Sequence, residues 1–91
     1  MEFEWDENKR EINLAKHDID FADAVVVFDD PYKIEEIDNR KNYGEIRINT
    51  IGLFKNEVIV AVVNTNRNGI IRIISVRLAS KKERRLYYGN R

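Results

Sequence analysis

The stretch Ile70–Tyr88, IIRIISVRLASKKERRLYY, decides the fold. Ile, Val or Leu fills almost every position from Ile70 to Leu78, which predicts a strand buried on both faces. Arg72 and Arg77 interrupt it, and cations in such a strand need a partner or a function. Ser80-Lys81-Lys82-Glu83 follows with the form of a capping box, so a helix is predicted from Ser80 to Tyr88. Lys81 and Lys82 then sit in its first turn, where the helix dipole disfavours positive charge. An anionic ligand would explain them, and so would plain solvation at the surface.

Working back from that stretch, Asn66 to Gly69 reads as a turn, because Asn68-Gly69 tolerates positive φ. Glu57 to Thr65 is a strand whose VIVAVV centre is buried on both faces, and Glu45 to Phe54 is an alternating strand. Asp38 to Gly44 is a polar loop, and Tyr32 to Ile37 an edge strand with charged residues outward. Asp29-Asp30-Pro31 ends a helix spanning Ile19 to Phe28, capped by Asp20. The β-branched run Val25-Val26-Val27 leaves a strand open as the alternative there. A first helix runs from about Glu7 to His17 behind Asp6 as N-cap, with Ile12 and Ala15 as a narrow apolar stripe. Phe3 and Trp5 alternate with acids in a short first strand. The order βααββββα gives an α+β fold: a mostly antiparallel sheet of four to five strands, with its helices on one face. Two of those helices are N-terminal and one C-terminal, within a single domain over residues 1–91.

Composition sets limits. Hydrophobic residues make up 43% of the chain and charged residues 35%, a globular balance with a highly charged surface. With no cysteine and one histidine, no disulfide framework, Cys nucleophile or tight transition-metal site is expected, and no cofactor is implied. The acidic start MEFEWDENK lacks the regions of a signal peptide, and the longest apolar run, Val58–Val63, is too short to cross a bilayer. A cytoplasmic protein without membrane association is expected. Residues 1–45 hold fourteen acids against six Lys or Arg, a net of −8, and residues 46–91 hold ten Lys or Arg against two acids, a net of +8. Such asymmetry suits either a basic surface for nucleic acid or two halves that neutralise each other.

The chemistry-bearing residues fall into two groups. Lys9, Asn13, Lys16 and His17 share one arc of the first helix. Arg47 and Asn49 lie on one face of their strand, and Ser75 and Arg77 on one face of theirs. If Arg47 and Arg77 share a sheet face near the Lys9–His17 arc, the site holds several cations and one imidazole. Regular alternation puts Ser75 and Arg77 with Ile71 and Ile73 and sends Arg72 the other way, unless the strand bulges. Cations beside one imidazole suit RNA cleavage, in which the ribose 2′-hydroxyl is the nucleophile. The protein then supplies charge stabilisation and proton transfer. His17 is the one side chain whose unperturbed pKa lies near 7. A histidine at a helix C-terminus also serves simply as a cap, and Arg47 or Arg77 also serve as salt-bridge partners. Tyr87 and Tyr88 could stack on bases or pack against the sheet.

In sequence order, Phe3-x-Trp5-Asp6-x-x-Lys9 and Asn13-x-x-Lys16-His17-x-Ile19-x-Phe21 resemble the opening of the BrnT family of bacterial toxins. Asp30-Pro31, Tyr43-Gly44-Glu45-x-Arg47, Ile51-Gly52, Arg72-Ile73-Ile74-Ser75-x-Arg77-x-Ala79 and Glu83-Arg84-x-Leu86-Tyr87 continue the likeness. The resemblance implies a RelE-like fold and metal-independent ribonuclease activity. It also implies neutralisation by a BrnA-type ribbon-helix-helix antitoxin, operator DNA binding only through that antitoxin, and a toxin–antitoxin heterotetramer. Carried over by position, it points to Lys9, His17, Arg47, Arg72, Ser75 and Arg77 as functional residues, without dividing catalytic from structural members. From their chemistry His17, Lys9, Arg47 and Arg77 are assigned to catalysis and Arg72 and Ser75 to RNA binding, while Lys81 and Lys82 supply long-range attraction for RNA or an acidic partner. The chain departs from the family pattern at Asp18, where Gly is common, at Val76, and in the loop Asp38 to Asn42. Two other readings fit the residues: a catalytically weak antitoxin-binding or co-repressor module, and a plain RNA-binding domain.

Overall fold

The computed structural model describes all 91 residues. The chain forms β1 (Glu2–Trp5), α1 (Glu7–His17), α2 (Phe21–Ala24) running into a 3-10 segment (Val25–Asp29), then β2 (Ile34–Ile37) and β3 (Ile48–Leu53). After a 3-10 turn (Lys55–Glu57) come β4 (Ile59–Arg67), β5 (Ile70–Leu78) and α3 (Lys81–Gly89). One mixed sheet orders the strands β1-β5-β4-β3-β2, with β1 parallel to β5 and every other pair antiparallel. No helix is long and apolar enough to cross a membrane.

The sheet centres on β4, buried without a break from Ile59 to Thr65. Val60 and Val62 pack with Ile19, Phe21, Ala24, Val27 and Phe28 on one face. Ile59 and Ala61 pack with Ile51, Ala79 and Tyr87 on the other. The helices therefore divide between the two faces, α2 on the first and α3 on the second. This corrects the expectation of helices on one face. A strand apolar on both sides needs cover on both.

Local chemistry fixes the ends of these elements. Asp6 caps α1 by accepting from the N–H groups of Asn8 and Lys9, and Asp20 caps α2 by accepting from Ala22. Asp18 ends α1 in the left-handed region, φ 58°, which explains why glycine suits that position; Asp is among the few other residues that tolerate it. Asn68 and Gly69 both take positive φ in the turn from β4 to β5. The helix expected over Ile19–Phe28 is α-helical for only four residues and then tightens to 3-10 at Val25. Three successive β-branched valines crowd an α-helical turn, which favours that change.

The helix α1 also departs from expectation. Ile12 is 59% exposed and Ala15 is exposed, so the predicted apolar stripe faces water. The one buried residue of α1 is Asn13. Polar contacts hold the helix: Arg10 grips Asp20 through Nε and Nη2 at 2.8 and 2.9 Å, and Trp5 Nε1 donates to Glu7 at 2.9 Å.

The 3-10 segment reaches close to β3 at Gly52. A Cβ built on Gly52 would stand 2.7 Å from Val27 Cγ1 and 3.4 Å from the Val27 carbonyl oxygen. Gly52→Ala is expected to cost about 1–3 kcal/mol through overpacking, read as a lowered urea midpoint with an unchanged m-value.

Candidate functional site

The strand β5 does not alternate regularly. Its register on β4 pairs Val63 with Ser75 and then Asn64 with Ile73, so Ile74 is the extra residue of a β-bulge. Ile71 and Ile73 point to the core beneath α2, and beyond the bulge so does Val76. Arg72, Ser75 and Arg77 therefore share the opposite face, the one α3 occupies. This corrects the alternation that grouped Ser75 and Arg77 with Ile71 and Ile73 and set Arg72 apart. The sequence carries a signal for it: polar residues spaced by three and then two reach one face only across an extra residue.

Beyond the N-terminus of α3 this face opens into a cavity of about 400 Å3, lined mainly by polar side chains including Asp38, Arg40, Asn49, Arg77, Lys82 and Glu83. Arg77 forms a fork on Glu83, with Nη1 to Oε1 at 2.7 Å and Nη2 to Oε2 at 3.0 Å. Glu83 also accepts from the Ser80 N–H at 2.8 Å, completing the capping box, and from Asn49 Nδ2 at 2.9 Å. The Arg77 guanidinium holds the Glu83 carboxyl down to about 2; burial opposes that shift, and the Ser80 and Asn49 donors reinforce it. Arg77 in turn is raised by Glu83, against the cost of burial. Glu83 is thus ionised and a poor base at neutral pH.

Arg72, on this face, and Arg47, just before β3, are also held by carboxylates. Arg72 Nη1 donates to Glu4 Oε2 at 2.7 Å, its direct neighbour across the β1–β5 pair. Arg47 Nε donates to Glu45 Oε2 at 3.1 Å, and its guanidinium lies 3.9 Å from the centre of the Tyr43 ring. Glu45 accepts from Arg67 as well, at 3.1 Å, and the two arginines hold its carboxyl below the usual range, Arg47 first. Each guanidinium is fixed in place, and those of Arg72 and Arg47 retain donors beyond their carboxylate contact.

Of the residues singled out from sequence, Arg77 and Lys82 line one cavity, with Arg72 and Ser75 on the same sheet face. Arg47 stands just before β3, where its carbonyl accepts from the Asp38 N–H at 2.8 Å and closes the base of the cavity loop. Lys81 is exposed outside the cavity. Lys9 and His17 lie on α1, against β5 rather than in the cavity; Lys9 is exposed and His17 half-buried. Sequence reasoning passed over Asp38 and Arg40, paired at 2.8 Å, as an undifferentiated loop. Glu83, expected both as the helix cap and as one possible partner for a β5 arginine, fills both roles, with Arg77 as the arginine.

A family model described as ribonuclease toxin, BrnT, of type II toxin–antitoxin system matches residues 5–83. Among solved structures, the chain is similar to the Brucella abortus ribonuclease toxin BrnT, with 34% identity and a TM-score of 0.67. That likeness covers 89% of this chain and 99% of the Brucella chain. No match was found among curated protein sequences.

Proposed function

We propose a mechanism from one premise: the chain belongs to the BrnT family, the ribonuclease toxins of type II toxin–antitoxin systems. In this reading RNA lies across the open face of β5 with the scissile phosphate near Arg77. The ribose 2′-oxygen attacks phosphorus and loses its proton to a base, the P–O5′ bond breaks, and a proton passes to the departing 5′-oxygen. The products are a 2′,3′-cyclic phosphate and a free 5′-hydroxyl. Arg77 and Arg47, with Lys9, offset charge on the pentavalent intermediate. His17 moves the proton, since Glu83 is too weak a base to do so near pH 7. Arg72 and Ser75 bind the RNA backbone, while Lys81 and Lys82 attract it at longer range.

The observation that carries this reading is the bulge at Ile74, which gathers Arg72, Ser75 and Arg77 on one face. The proposal also takes the domain, residues 1–91, to be RelE-like, cytoplasmic and independent of metal. It takes a BrnA-type antitoxin as partner in a heterotetramer that reaches operator DNA through the antitoxin. RNA incubated with the protein in EDTA should be cut to fragments ending in cyclic phosphate. His17→Ala should slow the cut at least about tenfold, the lower range for removing a general acid or base. Full activity in that variant would remove His17 from the mechanism. A second reading, an antitoxin-binding module without catalysis, draws on the carboxylate partner beside each arginine. It predicts intact RNA in the same assay together with tight antitoxin binding.

A further inference from the structure

We infer that Asn13 is a positioning residue for the cleavage reaction, a side chain that sets His17 and Lys9 against the Ser75–Arg77 segment. This rests on the reading of His17 and Arg77 above. The strand β1 pairs with β5 only from Ile70 to Ile73, so β5 beyond the bulge has no neighbouring strand on that edge. Val76, fully buried, has an N–H there that would go without a partner. Asn13 Oδ1 accepts it at 3.1 Å, doing for β5 what a strand carbonyl would do. The other end of the amide, Nδ2, donates to the Ile19 carbonyl at 3.2 Å. The two partners demand opposite ends of the amide, so its orientation is fixed.

Four observations turn this contact from a filler into a register device. Asn13 is the one buried residue of α1, and Ile12, Leu14 and Ala15 face solvent, so no apolar side chain of α1 locks it onto the sheet. The anchored N–H belongs to the residue between Ser75 and Arg77. Lys9 and His17 stand one helical turn to either side of Asn13 on the same arc, roughly 5–6 Å along the axis. The Ile19 bond reaches past the left-handed turn at Asp18 and so ties down the end of α1 that carries His17. Arg10, about 20° from His17 around the helix, also fixes α1, but through bonds to Asp20 and Glu7 rather than to β5.

The test compares Asn13→Ala with Asn13→Asp, which keeps an acceptor for Val76, both in wild-type and His17→Ala backgrounds. Circular dichroism and thermal melts establish that each variant is folded at the assay temperature, and single-turnover cleavage of a short RNA separates binding from chemistry. The expected result is a drop of at least about tenfold in the cleavage rate of Asn13→Ala, with RNA affinity unchanged within about threefold. Asn13→Asp should recover part of that rate, and the limb of the pH–rate profile due to His17 should shift or vanish in Asn13→Ala. In the His17→Ala background, Asn13→Ala should add little further loss, because it acts through the residue already removed. Wild-type rate in folded Asn13→Ala, with His17→Ala slow, would overturn the inference and leave the mechanism standing. Equal multiplicative losses in both backgrounds would also overturn it, since a general structural role behaves that way. A fully active His17→Ala would overturn the mechanism, and the inference with it. Should Asn13→Ala not fold, Asn13→Asp carries the comparison: a wild-type rate with an unshifted profile, despite the lost Ile19 bond, would count against a positioning role.

Discussion

Replacing Arg77 by alanine is expected to lower the RNA cleavage rate by about 10²–10³-fold, the loss typical of removing one fixed charge-stabilising donor from a transition state. The guanidinium lines the cavity, and its fork on Glu83 gives it a set orientation. Alanine also strands Glu83, whose side chain is 11% exposed. That carboxylate keeps its contacts to Ser80 and Asn49, and Arg77 itself is 36% exposed, so water screens the pair; the stability loss should be only about 1–2 kcal/mol. Glu83→Gln separates the two effects. It breaks the ion pair but leaves Arg77 in place, so a stability loss similar to that of Arg77→Ala should come with most of the activity retained. If the two variants lost activity in parallel, Arg77 would serve only to hold Glu83. Arg77→Lys should rescue poorly, because an ammonium cannot reproduce the two-pronged contact that orients the group. The measurements are single-turnover cleavage and urea midpoints on the three variants.

Much of this frame is legible in the sequence, because its signals are local. The caps at Asp6, Asp20 and Ser80, the Asn68-Gly69 turn, and the unbroken apolar run of β4 each specify their element from a few neighbouring residues. What the sequence hides is set by contacts between distant segments. Apolar faces on both sides of β4 require two layers of cover, yet nothing local says that α3 supplies the second. The parallel pairing of β1 with β5 joins segments more than sixty residues apart. The bulge at Ile74 reverses the facing of every later residue of β5, so a period-2 reading of Ser75 and Arg77 fails however carefully it is applied. Likewise α1 looks as though it should bury Ile12 and Ala15, but it docks through Asn13 and Arg10, and polar docking leaves no hydrophobic period to detect. The candidate site inherits both problems. Its residue types are visible in the sequence, while the shared face of Arg72, Ser75 and Arg77 depends on one extra residue in a strand, and the docking of the helix that carries Lys9 and His17 depends in part on one amide.

Replacing Asp30 by alanine should give the largest stability loss of any single change, about 3–5 kcal/mol, from three charge-assisted hydrogen bonds removed at a buried position. Asp30 accepts from the Tyr32 N–H at 2.9 Å, from the Leu53 N–H at 2.9 Å and from the Tyr87 hydroxyl at 2.6 Å. It thereby joins the end of the 3-10 segment, the last residue of β3 and the buried face of α3, elements packed on opposite faces of the sheet. For a chain of this size the melting temperature should fall by at least about 12 °C. Asn is not an adequate replacement. Tyr32 and Leu53 donate to different oxygens, so either orientation of the amide sets its NH2 against a backbone N–H. Burial alone would raise the Asp30 carboxyl, but the Tyr87, Tyr32 and Leu53 donors outweigh it and hold it below the usual range. Tyr87 is pushed up to about 12, first by burial and then by Asp30. The sign of the pH dependence follows. A carboxyl depressed in the folded state contributes its full stability above the unfolded value, near 4, and loses it as pH falls through the lower folded value. The stability gap between wild type and Asp30→Asn should therefore be constant from about pH 5 to 8 and narrow below about pH 4. A gap that stayed constant down to pH 2 would mean that Asp30 titrates alike in both states and that its hydrogen bonds do not depend on its charge.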